Sequence, residues 1–156
     1  MQTEKKDFLA SFVSLVAIAD PGIIPKWGKM NLQQMVEHLS LVFKISYNRI
    51  PTTITTPAEH LPKYKEFLWS DKQFRENTKA PTSILGDEPL PIHFASYAEA
   101  VTALDKSVKA FFDYFEKDPT AQAPHPVFGM LNFEEYIQIH HKHISHHLRQ
   151  FGLINE

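Results

Sequence analysis

Residues 132–152 read NFEEYIQIHHKHISHHLRQFG, and the way this stretch folds decides how the rest of the chain must be arranged. Asn132 followed three residues later by Glu135 has the spacing of a helix-capping box, and Phe151-Gly152 has the form of a helix stop. A helix is therefore expected from about Asn132 to Gln150. Successive helical residues turn by about 100°, which gathers Phe133, Tyr136, Ile137, Ile144, Leu148 and Phe151 on one side. The same helix carries His140, His141, His143, His146 and His147, out of nine histidines in the chain. His140 and His147 fall on or beside the apolar side and His143 at its margin, whereas His141 points elsewhere.

Moving outward from that helix, three more amphipathic segments appear. In the first, Phe8, Phe12, Leu15 and Val16 recur at helical spacing, with Ser11 and Ser14 on another face, until Pro21-Gly22 breaks the pattern. The same apolar run could be read as a signal peptide. Glu4 and Asp7, however, cancel Lys5 and Lys6 where a secretory leader is positively charged. Asn31 with Gln34 predicts a capped second helix to about Tyr47, its stripe formed by Leu32, Met35, Val36, Leu39, Val42 and Ile45, with His38 inside the stripe. Ser96 with Glu99 predicts a third long helix to about Lys117, with Val101, Leu104, Val108, Phe111, Phe112 and Phe115 apolar. Between them, Ile50 to Phe94 carries six prolines and reads as a long irregular connection with one helix around Pro62–Arg75. The loop TAQAPHPVFGM, residues 120–130, precedes the last helix. Strand signals are sparse. The expected fold is all-α, a four-helix bundle in a single domain spanning residues 1–156, with a long irregular crossover between the second and third main helices.

Composition narrows the chemistry. The chain has 156 residues, 43% of them hydrophobic, which is enough for one domain with a real core. Its 16 basic and 18 acidic side chains nearly balance and form no dense basic stripe, which argues against nucleic-acid binding. No apolar run approaches the ~20 residues that span a bilayer, so a soluble, cytoplasmic protein is expected, with no membrane partner. There is no cysteine. A metal site must then be built from His, Asp, Glu and water.

His143 and His147 lie one helical turn apart, where side chains are neighbours with Cβ atoms roughly 5 to 6 Å apart, so two imidazoles can converge on one ion. His140 and His147 are about 10 Å apart along the axis, too far to share an ion at bonds of ~2 Å. A further ligand is needed, and His38 is the other histidine in a buried helical stripe. Three imidazoles leave open positions on the ion, as a catalytic site requires. No HExxH motif and no Glu-x-x-His pair is present, so a single ion fits better than two. Each of these positions also has a plain structural reading. A lone His38 on an apolar face is often a satisfied core residue, and the spacing of His143 and His147 recurs by chance in a dense histidine run. His60, His93 and His125 lie in loop-like sequence and carry no assigned role.

Two stretches, WGKMNLQQMVEHL (Trp27–Leu39) and HPVFGMLNFEEYIQIHHKHISHHLRQFGL (His125–Leu153), resemble the signature regions of a DinB-like domain-of-unknown-function branch within the DinB/YfiT-like superfamily. The resemblance implies a four-helix bundle in which His38, His143 and His147 hold a divalent ion, zinc or nickel. It departs from the superfamily at one point. Many members read His-His-Arg-Gly-Gln where this chain has His146-His147-Leu148-Arg149-Gln150, so any substrate role of that segment does not transfer. His140 is extra to the triad and would orient a ligand or line the pocket, whereas His146 matches the superfamily's His-x-x-His-His pattern with His143 and His147 and would stand beside the ligands. Related bundles act as thiol-dependent transferases or as hydrolases. The implied function is a divalent-metal-dependent enzyme acting on a small-molecule substrate, for example with a low-molecular-weight thiol. The competing reading is a non-catalytic metal or small-ligand binding protein of the same fold. No general base is assigned, since Glu37 is turned about 100° from His38. A homodimer is the expected assembly.

Overall fold

The computed structural model describes residues 2–76 and 89–155. Helix α1 (Gln2–Ser11) leads into the short α2 (Val13–Ala17). The single first helix expected from the Phe8–Val16 spacing is thus interrupted at Phe12. Around the break the Ser11 hydroxyl donates to the carbonyl of Asp7 at 2.9 Å, and the Ser14 hydroxyl to that of Ser11 at 2.8 Å. Such hydroxyls compete with the helical ladder and loosen it locally.

Helix α3 (Leu32–Ser46) begins at the capping box read from the sequence, since Asn31 accepts from the Gln34 N–H and the Gln34 side chain accepts from the Asn31 N–H, both at 2.8 Å. One stripe position differs. Phe43 is fully buried and Val42 is only partly covered. Phe43 stacks on Phe12 and meets Phe111 edge-on, with centroids 6.3 and 5.6 Å apart. A large ring displaces the smaller β-branched residue from the core because it removes more apolar surface from water.

Within the Ile50–Phe94 connection, a 3₁₀ turn (Ala58–His60) leads into α4 (Leu61–Trp69), with Pro62 in its first turn where a missing N–H costs nothing. Helix α4 ends at Trp69 rather than near Arg75, and residues 77–88 of the expected connection lie outside the described residues. Helix α5 (Tyr97–Lys117) starts where Ser96 accepts from the Glu99 N–H at 3.1 Å. The expected loop before the last helix contains a small antiparallel hairpin, β1 (Ala123–His125) and β2 (Gly129–Leu131), with Ala123 opposite Leu131 and His125 opposite Gly129. Two three-residue strands holding Pro124 carry no period-two signal long enough to read.

Helix α6 (Phe133–Gln150) has the predicted capping box at Asn132 and Glu135. At its other end Gly152, at φ +69°, closes a Schellman motif. The Gly152 N–H donates to Arg149 and the Leu153 N–H to Leu148, at 3.0 and 2.8 Å. Helix α3 packs against α5, and α1 and α4 pack against α6. As a result α6 buries far more than its apolar side, with Gln138, Lys142, Ser145, Arg149 and Gln150 buried as well. Lys142 reaches the C-terminal end of α4, donating to the carbonyls of Ser70 (2.7 Å) and Lys72 while lying over the Phe67 ring. The fold is mostly helical with one small sheet, compatible with the all-α class. Among the described residues no helix is long and apolar enough to cross a membrane.

Candidate metal centre

His38 sits midway along α3, and His143 and His147 are one turn apart on α6. The Nε2 of His143 lies 3.0 Å from the Nε2 of His38 and 3.0 Å from the Nε2 of His147. One ligand atom from each ring falls within 4.8 Å of the others, so the three could hold a metal ion. The rings line a cavity of about 1360 Å³ that is partly open to solvent and lined mainly by apolar side chains, among them Val42, Phe67, Phe74 and Phe128.

The hydrogen positions follow from one amide. The Gln150 NH₂ donates to the Trp27 carbonyl at 2.9 Å, which leaves the Gln150 Oε1 facing His147 Nδ1 at 2.8 Å. Nδ1 must therefore carry the proton and donate, and the His147 Nε2 presents a bare lone pair to the centre. If His143 Nε2 is protonated, it can donate to His147, but it then offers no lone pair to His38. If it is bare, it can accept from His38, but it faces the lone pair of His147. No neutral arrangement gives each 3.0 Å contact a hydrogen of its own; at best one His143 N–H is shared between the two.

Adding a proton is also disfavoured. Burial holds the pKa of His38 down to about 4. Burial and the charge of His38 bring His147 to about 3 against the weaker opposing effect of its Gln150 hydrogen bond. His143 is pushed well below the usual histidine value by burial first and then by its histidine neighbours. The cluster is a set of neutral nitrogens converging on one point.

The support for His147 comes from far away in sequence. The Lys26 N–H donates to the Gln150 carbonyl at 2.7 Å, so the 26–28 segment clasps the end of α6. Gly28 at φ +81° permits the approach, because a Cβ there would stand 2.7 Å from Gln150 Nε2. Sequence reasoning assigned Gln150 and Trp27 no role at the site. The local signal was the i, i+3 spacing of His147 and Gln150, but its other half depends on a contact between residues 27 and 150.

His140 and His146 both line the cavity. The His146 ring lies 5.4 Å from Trp27 and 5.9 Å from Phe74. His141 lies against Phe8. His60, His93 and His125 also reach the cavity wall, although none was given a role from the sequence. Glu37 lines the cavity with both carboxylate oxygens engaged. Oε1 accepts from the His93 N–H at 2.7 Å, and Oε2 from the Phe94 N–H at 3.1 Å and from Gln33 at 3.0 Å. Burial raises its pKa, but these hydrogen bonds outweigh it and hold the group below the ordinary carboxylate value. Its work is to latch the 93–94 segment to α3.

These features define a mostly helical protein with a three-histidine cluster in the wall of a large apolar cavity. The chain belongs to the family described as Protein of unknown function (DUF1569), whose model matches residues 1–152. No curated protein and no solved structure matches it.

Proposed function

We propose that this chain is a divalent-metal-dependent enzyme of DinB/YfiT-like type, a four-helix bundle formed by α1–α2, α3, α5 and α6, with zinc or nickel held by His38, His143 and His147. The observation that carries the reading is the pair of 3.0 Å nitrogen contacts for which neutral rings supply at most one usable hydrogen. Three lone pairs aimed at a cation remove the conflict. Nitrogens bonded to one ion at ~2.0–2.1 Å lie roughly 3 to 3.5 Å apart, so the cluster needs little spreading to fit. The Gln150 contact to His147 matches the common pattern in which a ligating imidazole donates its second N–H to a fixed acceptor.

An ion on three imidazoles keeps open positions and supplies Lewis-acid chemistry suited to thiol transfer or hydrolysis. The chain's own residues shape the reaction space. Phe67, Phe74 and Phe128 give the cavity an apolar wall, and the Trp27–Gln150 clasp keeps His147 oriented.

One observation favours the alternative of a non-catalytic metal or small-ligand binding protein. Among the described residues Glu37 is the one carboxylate that lines the cavity, and its oxygens accept three hydrogen bonds, so no described carboxylate there is free to act as a base. Loading the untagged protein with cobalt(II) and titrating it with 2-mercaptoethanol, then with p-nitrophenyl esters, separates the two. Ester turnover, or transfer of the thiol to an electrophile, that is lost in His143→Ala supports the enzyme. Saturable metal binding without turnover, whether or not the thiol changes the cobalt spectrum, supports the binding protein.

A further inference from the structure

Two histidines of the cavity wall outside the cluster have polar edges with no assigned use. His125 accepts from the Val127 N–H at 3.0 Å and the Phe128 N–H at 3.3 Å, both through Nδ1. That edge must be bare, so the neutral ring carries its proton on Nε2, a donor whose position is set by the hairpin turn. His140 is 1% exposed, stacked on Phe43 at 4.1 Å and meeting Phe111 edge-on at 5.0 Å. Its Nε2 is buried with no hydrogen-bond partner. Both rings pack on Tyr136, at 6.3 and 5.6 Å, and both line the cavity. The His140 Nε2 itself is closed to solvent, so a ligand oxygen reaches it only as the cavity wall gives, a displacement offset by pairing a nitrogen that is costly to leave unpaired.

We propose that His125 and His140 form a second polar subsite of the cavity, independent of the metal, which binds the uncharged oxygen of a mainly apolar ligand, an alcohol or a ketone. The His125 Nε2–H donates to that oxygen. His140, free to take either tautomer, accepts the hydroxyl proton of an alcohol or donates to a ketone. Burial keeps both rings neutral, with the pKa of His125 held near 4 and that of His140, which also feels the charge of His125, near 3. An anion would gain more from Lys44 or Lys63, which line the same cavity. His140 precedes His143 by one helical turn, roughly 5 Å along the axis, so a ligand of modest size reaches both places.

The test is a titration of the full chain, held in chelator, with benzyl alcohol, acetophenone, toluene and benzoate, read by the ¹⁵N shifts of the imidazole nitrogens. The alcohol and the ketone are expected to move the Nε2 signals of His125 and His140 and to bind about tenfold more tightly than toluene, the worth of one buried hydrogen bond. His140→Leu removes an unpaired polar atom, so it should fold at least as stably as the wild type, bind zinc equally well and lose the preference for alcohol over toluene. Equal affinity for toluene and benzyl alcohol, unmoved Nε2 signals at saturation, or tightest binding of benzoate would each overturn the proposal. Because metal is absent from the titration, failure of the metal reading leaves this outcome unaffected.

Discussion

Acidification of the metal-free protein should unfold it, because five histidines of the cavity wall, two of them buried and three partly open, stay neutral in the folded state. His38 and His125 titrate near 4 and His140 and His147 near 3, while His143 lies well below the usual value. In the unfolded chain each takes a proton near 6.5. The unfolded state therefore binds more protons as pH falls, so this stability is complete above about 6.5 and is lost progressively below it. Between about pH 7.5 and 5.5 a fully shielded ring loses about 1.3 kcal/mol. Three of the five, His38, His125 and His143, are partly open to the cavity and lose less. The total is then roughly 5 kcal/mol, comparable to the whole stability of a small domain at about 5–15 kcal/mol. Glu37 contributes in the same direction only at lower pH, since its pKa already lies below the carboxylate value. Urea unfolding in chelator at the two pH values measures the loss, and His140→Leu should recover about 1 kcal/mol of it. Equal urea midpoints at both pH values would refute the claim that these rings are enclosed and neutral.

Four other outcomes follow from particular contacts. Gln150→Leu removes the acceptor from His147 Nδ1 and should weaken zinc affinity about 10- to 100-fold while leaving the helical circular dichroism unchanged. Gly28→Ala should move affinity in the same direction, because its Cβ would meet Gln150 Nε2 at 2.7 Å. Phe43→Ala should cost about 3–5 kcal/mol in chemical denaturation, against under about 1 kcal/mol for Val42→Ala on the cavity wall. Lys142→Met should speed amide exchange across Leu61–Trp69, because it frees the carbonyls of Ser70 and Lys72 at the end of that helix.

Local chemistry was legible in the sequence. The capping boxes at Asn31 and Asn132, the Ser96 cap and the Gly152 stop each involve residues a few positions apart, and each forms where its spacing placed it. The approach of His38 to His143 and His147 was also within reach, because helical stripes carry that information. The near-complete burial of α6 was not, because its cover comes from α1 and α4, whose docking leaves no mark within residues 133–150. Phe43 and Val42 are adjacent, and periodicity alone cannot choose between neighbours at the margin of a stripe. His125 looked like a loop residue because its strand has only three members. Its fixed tautomer depends on the turn that follows.

Coordination of one divalent ion by His38, His143 and His147 is tested most directly by the ion's anomalous scattering. Anomalous-difference maps should be collected across the zinc and nickel edges from crystals of the untagged protein grown with each metal. They should show a single peak at about 2.0–2.2 Å from the Nε2 atoms of His38, His143 and His147. Absence of a peak at these nitrogens under saturating metal, or an ion held by other residues, would contradict the account.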